Sequence, residues 1–319
     1  MRGHARSREI LTVEYRADAP GLALHRASLF QVLWDAAIAA GATLATGAAV
    51  VAAPQAGTLR WLEREGGLRL GPFDLVIGAS GTGSRLSPMV ARALPFGAVW
   101  ASVPWPAGAD LPQDQLSQRY FRAKKMAGVL PIGRLPDDPT PCAALFWSLP
   151  VAGLDRWPEV RFGQWRDEVG RFWPEMVPFL AQLRGKADLT PAHYTHGSVG
   201  KVDQPGLVFV GDAAYRASPQ LGQGANMALL DAMALALALD ACPLAQALPR
   251  YAAMRRWHCG FYQALSASFT PMYQSDSRLL PVLRDWVLAP AGRMPPVDRI
   301  LTTLVSGDLL PPLASPRFP

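Results

Sequence analysis

The chain has 319 residues, of which 50% are hydrophobic and 18% are charged. At roughly 100–200 residues per domain, this length predicts two domains or one elaborate domain, and the apolar content excludes a disordered chain. The formal net charge of +6 comes from basic residues that are spread along the sequence. We therefore do not expect nucleic-acid binding.

The three cysteines, Cys142, Cys242 and Cys259, are widely spaced and form no CxxC pair. This usage is typical of a reducing compartment, so we expect a cytoplasmic protein whose cysteines are small core residues. No apolar stretch follows the basic N-terminus, and no signal peptide is predicted. The most apolar stretch, 225–241, is interrupted by two aspartates and is shorter than the roughly 20 residues of a membrane span. We expect no integral membrane association.

The first eighty residues predict short strands and one helix with an apolar face. The predicted helix has Ser28 as its N-cap and ends at Gly41, in keeping with the preferences at helix ends. The run 74–79 is almost continuously apolar, which indicates a buried strand that enters a tight turn. The other strands predicted in this part lie at 11–15, 48–53, 59–64 and 67–70, the last two as a hairpin.

The remainder of the chain divides into a strand-rich part and a helical part. Short alternating runs with tryptophan and proline fill 95–150, which is typical of an antiparallel sheet. Residues 157–184 predict helices interrupted by proline, and 207–210 predict a second buried strand. A helix is predicted over 224–241, and further helices reach about Leu288.

The densest chemical signal is the string GDAAYRASPQLGQGANMALLDA, residues 211–232. A buried strand delivers the carboxylate of Asp212 to its C-terminal end, the edge at which open α/β sheets bind ligands. Gly222 and Gly224 lack side chains, so the backbone can approach a flat ligand there. The helix that follows presents N–H groups and a positive dipole end. Composition alone favours an ordinary strand–loop–helix connection with turn glycines.

The whole string resembles the second flavin-contacting motif of the FAD-dependent monooxygenases of the para-hydroxybenzoate hydroxylase type, GDAAHxxxPxxGQGxNxxxxDA. Tyr215 replaces the usual histidine, and the rest of the pattern matches. The resemblance implies that Asp212 binds the ribityl chain of FAD, that Pro219 lies near the flavin face, and that the amides of 224–226 meet the pyrimidine end. The FAD-binding residues that it implies in this string are Asp212, Pro219, Gly222, Gln223, Gly224, Ala225 and Asn226.

Two further segments resemble the same family. The sequence GLALHR at 21–26 is similar to the family's HR element, and the resemblance implies that Arg26 contacts FAD. An arginine at a strand-to-helix junction can bridge phosphate oxygens. The segment 74–84 is similar to the family's DG motif, but Ser80 stands where an aspartate is usual and Ser87 where an arginine is usual. The departure removes the carboxylate implicated in flavin and nicotinamide contacts.

Two other kinds of site are weaker in the sequence. The segment around Ser80 approaches the GxSxG turn of hydrolases, with Ser80 as the nucleophile, although Thr82 replaces the second glycine. His193 and His196 have the spacing HxxH, but no nearby Cys, Asp or Glu completes a metal set. We therefore expect no metal. We name no catalytic side chain, because a flavin carries the difficult chemistry itself.

The sequence contains no GxGxxG string, which in this family follows the first strand and cradles the pyrophosphate of FAD. We therefore expect at least one βαβ unit of the family, roughly 30 residues, to be missing from this chain. One alternative is then an inactive fragment of the fold that binds no FAD. Another is a different flavin oxidoreductase on the same scaffold, such as a flavin reductase or a halogenase, although the WxWxIP string of halogenases is absent.

The predicted fold is α/β: a Rossmann-like, N-terminally incomplete FAD-binding domain, an inserted and mainly antiparallel sheet domain on the substrate side, and C-terminal helices. We place the FAD-binding domain at 1–94 and 201–290, the sheet domain at 95–200 and a proline-rich tail at 291–319. The resemblance implies an FAD-dependent monooxygenase that uses NAD(P)H and O2 on a small, typically aromatic substrate.

Overall fold

The computed structural model describes residues 1–5 and 7–313. Its strands, in chain order, are β1 (Arg2–Ala5), β2 (Arg8–Thr12), β3 (Val50–Ala52), β4 (Gln55–Ala56), β5 (Leu59–Arg64), β6 (Arg69–Phe73), β7 (Val76–Gly78), β8 (Arg92–Pro104), β9 (Ser117–Phe121), β10 (Lys125–Pro131), β11 (Cys142–Pro150), β12 (Thr190–Ser198), β13 (Asp203–Gln204), β14 (Leu207–Phe209) and β15 (Tyr215–Arg216). Its helices are α1 (Arg26–Ala39), α2 (Val151–Asp155), α3 (Phe162–Phe172), α4 (Val177–Leu180), α5 (Gly224–Ala241), α6 (Leu244–Tyr273), α7 (Leu280–Leu283), α8 (Ala289–Ala291) and α9 (Val297–Ser306).

The chain forms two compact units, each built from three segments. Unit 1 consists of Met1–Thr43, Leu94–Tyr194 and Thr270–Thr302, and unit 2 of Leu44–Ala93, Thr195–Phe269 and Thr303–Pro319.

Unit 1 is built on a mixed sheet in the strand order β12-β8-β11-β10-β9-β1-β2. The pairs β8–β11, β11–β10, β10–β9 and β1–β2 are antiparallel, whereas β1 and β9 run parallel. The longest pairing joins β8 and β11, from Pro104 opposite Cys142 to Phe96 opposite Pro150. The strand-rich stretch predicted at 95–150 is thus confirmed as a mainly antiparallel sheet.

Both faces of this sheet carry apolar clusters. Trp147 and Phe146 are neighbours on β11, and successive side chains of a strand point to opposite faces. Trp147 belongs to a cluster with the buried residues of α3 and α4, where Trp105 meets Phe179 edge-on with 5.0 Å between ring centroids. Phe146 belongs to a second cluster with Tyr120. The sheet is therefore the centre of the core of unit 1.

Gly97 on β8 has no room for a side chain. A Cβ at this position would lie 2.2 Å from the carbonyl oxygen of Ala192 and 2.5 Å from Cδ1 of Leu154. We expect Gly97→Ala to lower the free energy of unfolding by about 1–3 kcal/mol, the usual cost of overpacking, in a denaturant titration. Gly163→Ala on α3 is the control, because a Cβ there would meet nothing within 4 Å. Equal stability losses in the two variants would contradict the expectation.

Helix α1 confirms the predicted helix but not its cap. Its first residue is Arg26, and the N-cap is His25, whose Nδ1 accepts a hydrogen bond from the N–H of Ala27 at 3.1 Å. The prediction of Ser28 as the cap was wrong, because its hydroxyl donates instead to the carbonyl oxygen of Arg134 at 2.5 Å. No residue of α1 is buried. The apolar residues that predict this helix therefore do not join the core of unit 1.

Unit 2 contains a small sheet in the order β13-β14-β7, covered by α5 and α6. β14 and β7 are parallel, and β13 and β14 are antiparallel. Ala234 and Ala238 on α5 and Ala247 on α6 have no exposed surface, and their small side chains let the elements of this core approach closely. The strands predicted at 74–79 and 207–210 are confirmed, although Ile77 on β7 is 48% exposed, and the structure pairs them as neighbours. The predicted hairpin is confirmed as β5 and β6.

The two units divide the chain differently from the predicted domains. Residues 1–43 and 270–290 cluster with the sheet of unit 1, because β1 pairs with β9 and Gln274 Nε2 donates to Ser148 Oγ at 3.1 Å. The segment 291–319 is more than a tail, since it contains α9, which buries Leu304; its residues 314–319 lie outside the described part. As functional divisions, the predicted domain boundaries stay predictions.

Candidate functional site

Asp212 lies at the end of a central strand, as predicted. β14 is the middle strand of its sheet, and a single 3₁₀ turn, Gly211–Ala213, follows it closely. Gly211 has a φ of +58°, a left-handed conformation that glycine adopts without strain. A Cβ on Gly211 would lie 3.1 Å from the Cβ of Ala228 on α5. The turn therefore packs closely on α5 and leaves Asp212 exposed.

The loop before α5 has an open backbone. Gly222 has a φ of +66°, so this position favours glycine. A Cβ on Gly222 or Gly224 would meet nothing within 4 Å. The N-cap residue, Gln223, gives the helix no side-chain cap, and the first N–H groups of a helix lack intrahelical acceptors. The start of α5 can therefore present backbone N–H groups to a ligand.

A buried ion pair lies behind the Asp212 turn. Arg255 Nε on α6 donates to Asp231 Oδ1 on α5 at 2.7 Å, and neither side chain has exposed surface. The other carboxylate oxygen, Oδ2, accepts a hydrogen bond from the N–H of Gly211 at 2.9 Å. One carboxylate thus joins α5, α6 and the turn that carries Asp212.

Comparison with known proteins matches this region to a flavin fold. Residues 187–254 match the family model described as an FAD binding domain. A curated relative, 6-methylpretetramide 4-monooxygenase of Streptomyces rimosus, is 28% identical over 170 residues, which are 50% of this chain and 37% of that protein. The chain is therefore similar to FAD-dependent monooxygenases, and the match to an FAD binding domain covers residues 187–254. The match spans little more than a third of the curated relative's length.

Solved structures of similar fold cover more of the chain. HpxO of Klebsiella pneumoniae, complexed with FAD and uric acid, is 18% identical, with a TM-score of 0.71 over 89% of this chain and 71% of that chain. 2-Methyl-3-hydroxypyridine-5-carboxylic acid oxygenase is 18% identical, with a TM-score of 0.69 over 96% and 76%. PqsL of Pseudomonas aeruginosa is 19% identical, with a TM-score of 0.66 over 85% and 78%. These structures support the α/β fold, with mixed sheets and C-terminal helices.

The residues of the Asp212 turn and the start of α5 in unit 2 fit a flavin nucleotide. An exposed carboxylate at Asp212 can accept hydrogen bonds from hydroxyl groups, and the backbone at Gly222 and Gly224 is open to a flat ring. The predicted contacts that unit 2 holds in one turn–loop–helix segment are Asp212, Pro219, Gly222, Gln223, Gly224, Ala225 and Asn226. Arg26, the first residue of α1, is exposed and belongs to unit 1. The contact of each with FAD stays a prediction.

The serines that depart from the family's DG motif have partners in unit 2. Ser80 Oγ donates to Ser84 Oγ at 2.9 Å, and Ser80 is exposed. A nucleophilic serine needs a general base beside it, and the hydroxyl of Ser84 is not one. The contact therefore does not support the hydrolase alternative. Ser87 Oγ donates to the carbonyl oxygen of Ala213 at 2.7 Å. Ser87, in the place of the usual arginine, therefore ties the DG-like segment to the Asp212 turn.

Burial keeps two further ionisable groups near the ion pair uncharged. Burial raises the pKa of Tyr215, which replaces the family's usual histidine, well above its ordinary value. Burial, with the Asp231 carboxylate nearby, raises the pKa of the Cys259 thiol to about 12. A thiol with this pKa is protonated at neutral pH and is a poor nucleophile. The prediction that Cys259 is a core residue is confirmed.

His258 extends the ion pair towards the C-terminal segment. Its Nε2 lies 2.8 Å from the carbonyl oxygen of Gly307, and its Nδ1 lies 3.3 Å from Nη1 of Arg255. Since Nη1 is a donor, Nδ1 must accept and Nε2 must carry the proton, which makes the ring neutral. Burial lowers the pKa of His258, and the charge of Arg255 adds to this effect against the bond to Gly307.

The lowered pKa of His258 predicts a loss of stability in acid. Below about pH 6.5 the unfolded chain binds a proton here that the folded chain does not, so the free energy of unfolding falls as pH drops through 6.5 and levels off below the folded pKa. We expect His258→Gln to lose stability at neutral pH but to show a smaller drop between pH 7.5 and 5.5 in urea titrations. An unchanged drop in His258→Gln would contradict the assignment.

Sequence reasoning missed the roles of Asp231, Arg255 and His258. The signal for Asp231 was present, because a carboxylate within the most apolar stretch of a chain needs a partner when it is buried. The sequence does not show which arginine is the partner of Asp231, because Arg255 and Arg256 are adjacent. The structure distinguishes them: Arg255 is buried, whereas the exposed Arg256 stacks over the Trp257 ring, 5.2 Å from its centroid.

Within the described residues, α5 meets the length and composition of a membrane-spanning helix. Asp231 in its middle is buried in the ion pair with Arg255, which is typical of a helix packed inside a folded unit. The expectation of no membrane association stays a prediction.

Proposed function

We propose that this chain binds FAD through the Asp212 turn and the start of α5, as part of an FAD-dependent monooxygenase. One observation carries the proposal: within the segment that matches an FAD binding domain, an exposed carboxylate at a strand end adjoins an open helix start lined by glycine. A carboxylate there suits the ribityl hydroxyls, and helix N–H groups stabilise partial negative charge on the ring that they face.

The chain's own residues bind and orient the cofactor in this proposal. Asp212 holds the ribityl chain, and the amides of 224–226 face the pyrimidine end. FAD, when bound, supplies the redox chemistry between NAD(P)H, O2 and substrate. No side chain of this chain is assigned a proton-transfer role.

We propose a small aromatic molecule as the substrate and NAD(P)H as the reductant. The support for the substrate class comes from similar proteins: HpxO is complexed with uric acid, a second structure is a 2-methyl-3-hydroxypyridine-5-carboxylic acid oxygenase, and PqsL is complexed with 2-aminobenzoylacetate.

We also propose a reducing, cytoplasmic location. Cys142, Cys242 and Cys259 are all free thiols, and Cys142 and Cys259 are buried. Chains without disulfides are typical of reducing compartments.

A titration of FAD into the 319-residue protein, followed by flavin fluorescence, tests the proposed function. Weak but saturable binding of one FAD per chain, with a shifted flavin absorbance spectrum, is the expected result, because the sequence contains no GxGxxG string to cradle the pyrophosphate. A folded protein that leaves the flavin signal unchanged would support the inactive-fragment alternative. If FAD binds, product analysis with NADH or NADPH, O2 and a panel of aromatic acids follows. Reductant oxidation without a hydroxylated product would favour a flavin reductase.

A further inference from the structure

The segment after α9 packs against the proposed flavin loop. Gln223 Nε2 donates to the carbonyl oxygen of Val305 at 2.6 Å, and Asn226 Nδ2 donates to Gln223 Oε1 at 2.7 Å. Gly307 lies against both amides, since a Cβ there would be 2.6 Å from Asn226 Nδ2 and 2.7 Å from Gln223 Oε1. The side chain of Gln223 is therefore bonded to the segment 305–307, which we call the C-terminal turn, and the side chain of Asn226 is bonded to Gln223.

The C-terminal turn is itself fixed to α6. The last carbonyl groups of a helix lack intrahelical donors, and at the end of α9 side chains from α6 supply them. Tyr262 Oη donates to the carbonyl oxygen of Leu304 at 3.0 Å, and His258 Nε2 donates to that of Gly307 at 2.8 Å. Arg255 Nη1 donates to the carbonyl oxygen of Pro312 at 2.6 Å. The ion pair behind the Asp212 turn and the C-terminal turn thus share one buried network.

Gly307 is the position where this arrangement depends on one residue type. Its φ of +89° lies in the left-handed region, which residues other than glycine rarely adopt. A side chain would also meet the two amide groups at less than 3 Å. Alanine at 307 must therefore displace the ends of Gln223 and Asn226 as well as strain its own backbone.

We propose that the C-terminal turn positions the start of α5 for the flavin, with Gln223 and Asn226 as positioning residues. Gln223 binds the C-terminal turn directly, Asn226 binds Gln223, and the amides of 224–226 face the cofactor. The proposal rests on the proposed function, because it assigns the amides of 224–226 to FAD. Cofactor affinity is then set in part by a segment some 80 residues after the motif that contacts the cofactor.

The test compares Gly307→Ala with Gly67→Ala. Gly67 has a φ of +86° in the turn between β5 and β6, and a Cβ there would meet nothing within 4 Å. Both variants carry the same backbone strain, but only the first displaces the amides. We expect at least tenfold weaker FAD binding and faster hydrogen exchange of the apoprotein amides over 222–228 in Gly307→Ala. Gly67→Ala should match the wild type in both measurements.

A second variant decides the question if Gly307→Ala does not fold. Gln223→Met keeps the size of the side chain but removes the bond to Val305, and we expect it to weaken FAD binding in the same direction. If the wild type binds FAD and the foldable variants bind it as tightly as Gly67→Ala, the positioning role is wrong and the proposed function stands. If the folded wild type binds no FAD, the proposed function fails and the inference fails with it.

Discussion

Loss of the Arg255 guanidinium should cost about 3–5 kcal/mol in the free energy of unfolding, the usual penalty for leaving a buried charge without its partner. In Arg255→Met the Asp231 carboxylate stays fully buried, and it keeps the N–H of Gly211 and the more distant thiol of Cys259 as hydrogen-bond donors. The bonds of Arg255 to His258 and Pro312 are lost as well. Urea titration followed by circular dichroism measures the change.

The adjacent arginine provides a matched control. Arg256 is exposed, so Arg256→Met should change the free energy of unfolding by less than about 0.5 kcal/mol. The double variant Asp231→Leu with Arg255→Met leaves no charge unpaired, and we expect it to be more stable than the sum of the single changes predicts. A loss below about 1 kcal/mol in Arg255→Met would show that the ion pair does not hold the turn.

The elements that the sequence predicted well have local and continuous signals. The apolar runs at 74–79 and 207–210 and the helix at 224–241 each carry their pattern within fewer than twenty residues. The cap of α1 was missed because His25 and Ser28 both offer an acceptor, and the sequence does not show that Arg134 engages the serine. The clustering of residues 1–43 with unit 1 has no local signal in the sequence, because the parallel pairing of β1 with β9 joins distant parts of the chain.

The same distinction holds at the candidate site. Asp212 and the glycines of its loop lie in one contiguous string, so their placement could be predicted. The C-terminal turn takes part through the backbone carbonyl groups of Val305 and Gly307. A carbonyl acceptor is common to all residues, so no residue type marks these positions in the sequence. Within the C-terminal turn, Gly307 is the residue whose type could signal its role, but a lone glycine near the end of a helix is typical of an ordinary C-cap.

Removal of the Asp212 carboxylate should weaken FAD binding about ten- to hundredfold. The proposed hydrogen bonds to the ribityl chain are charge-assisted, and such bonds contribute about 1.5–3 kcal/mol. The fold should persist in Asp212→Ala, because the side chain is exposed and contributes no apolar area to the core of unit 2. Flavin fluorescence titration measures the affinity, and circular dichroism with thermal unfolding of the apoprotein measures the fold.

Asp240→Ala separates the loss of this carboxylate from the loss of any negative charge. Asp240 is exposed near the opposite end of α5, so its removal changes the net charge equally but leaves the start of the helix untouched. FAD affinity in Asp240→Ala should equal that of the wild type. If Asp212→Ala retains full affinity, Asp212 is only part of a structural turn. If the Asp212→Ala apoprotein unfolds, the role of Asp212 is structural, because the loss of a side chain that binds only the cofactor would leave the apoprotein folded.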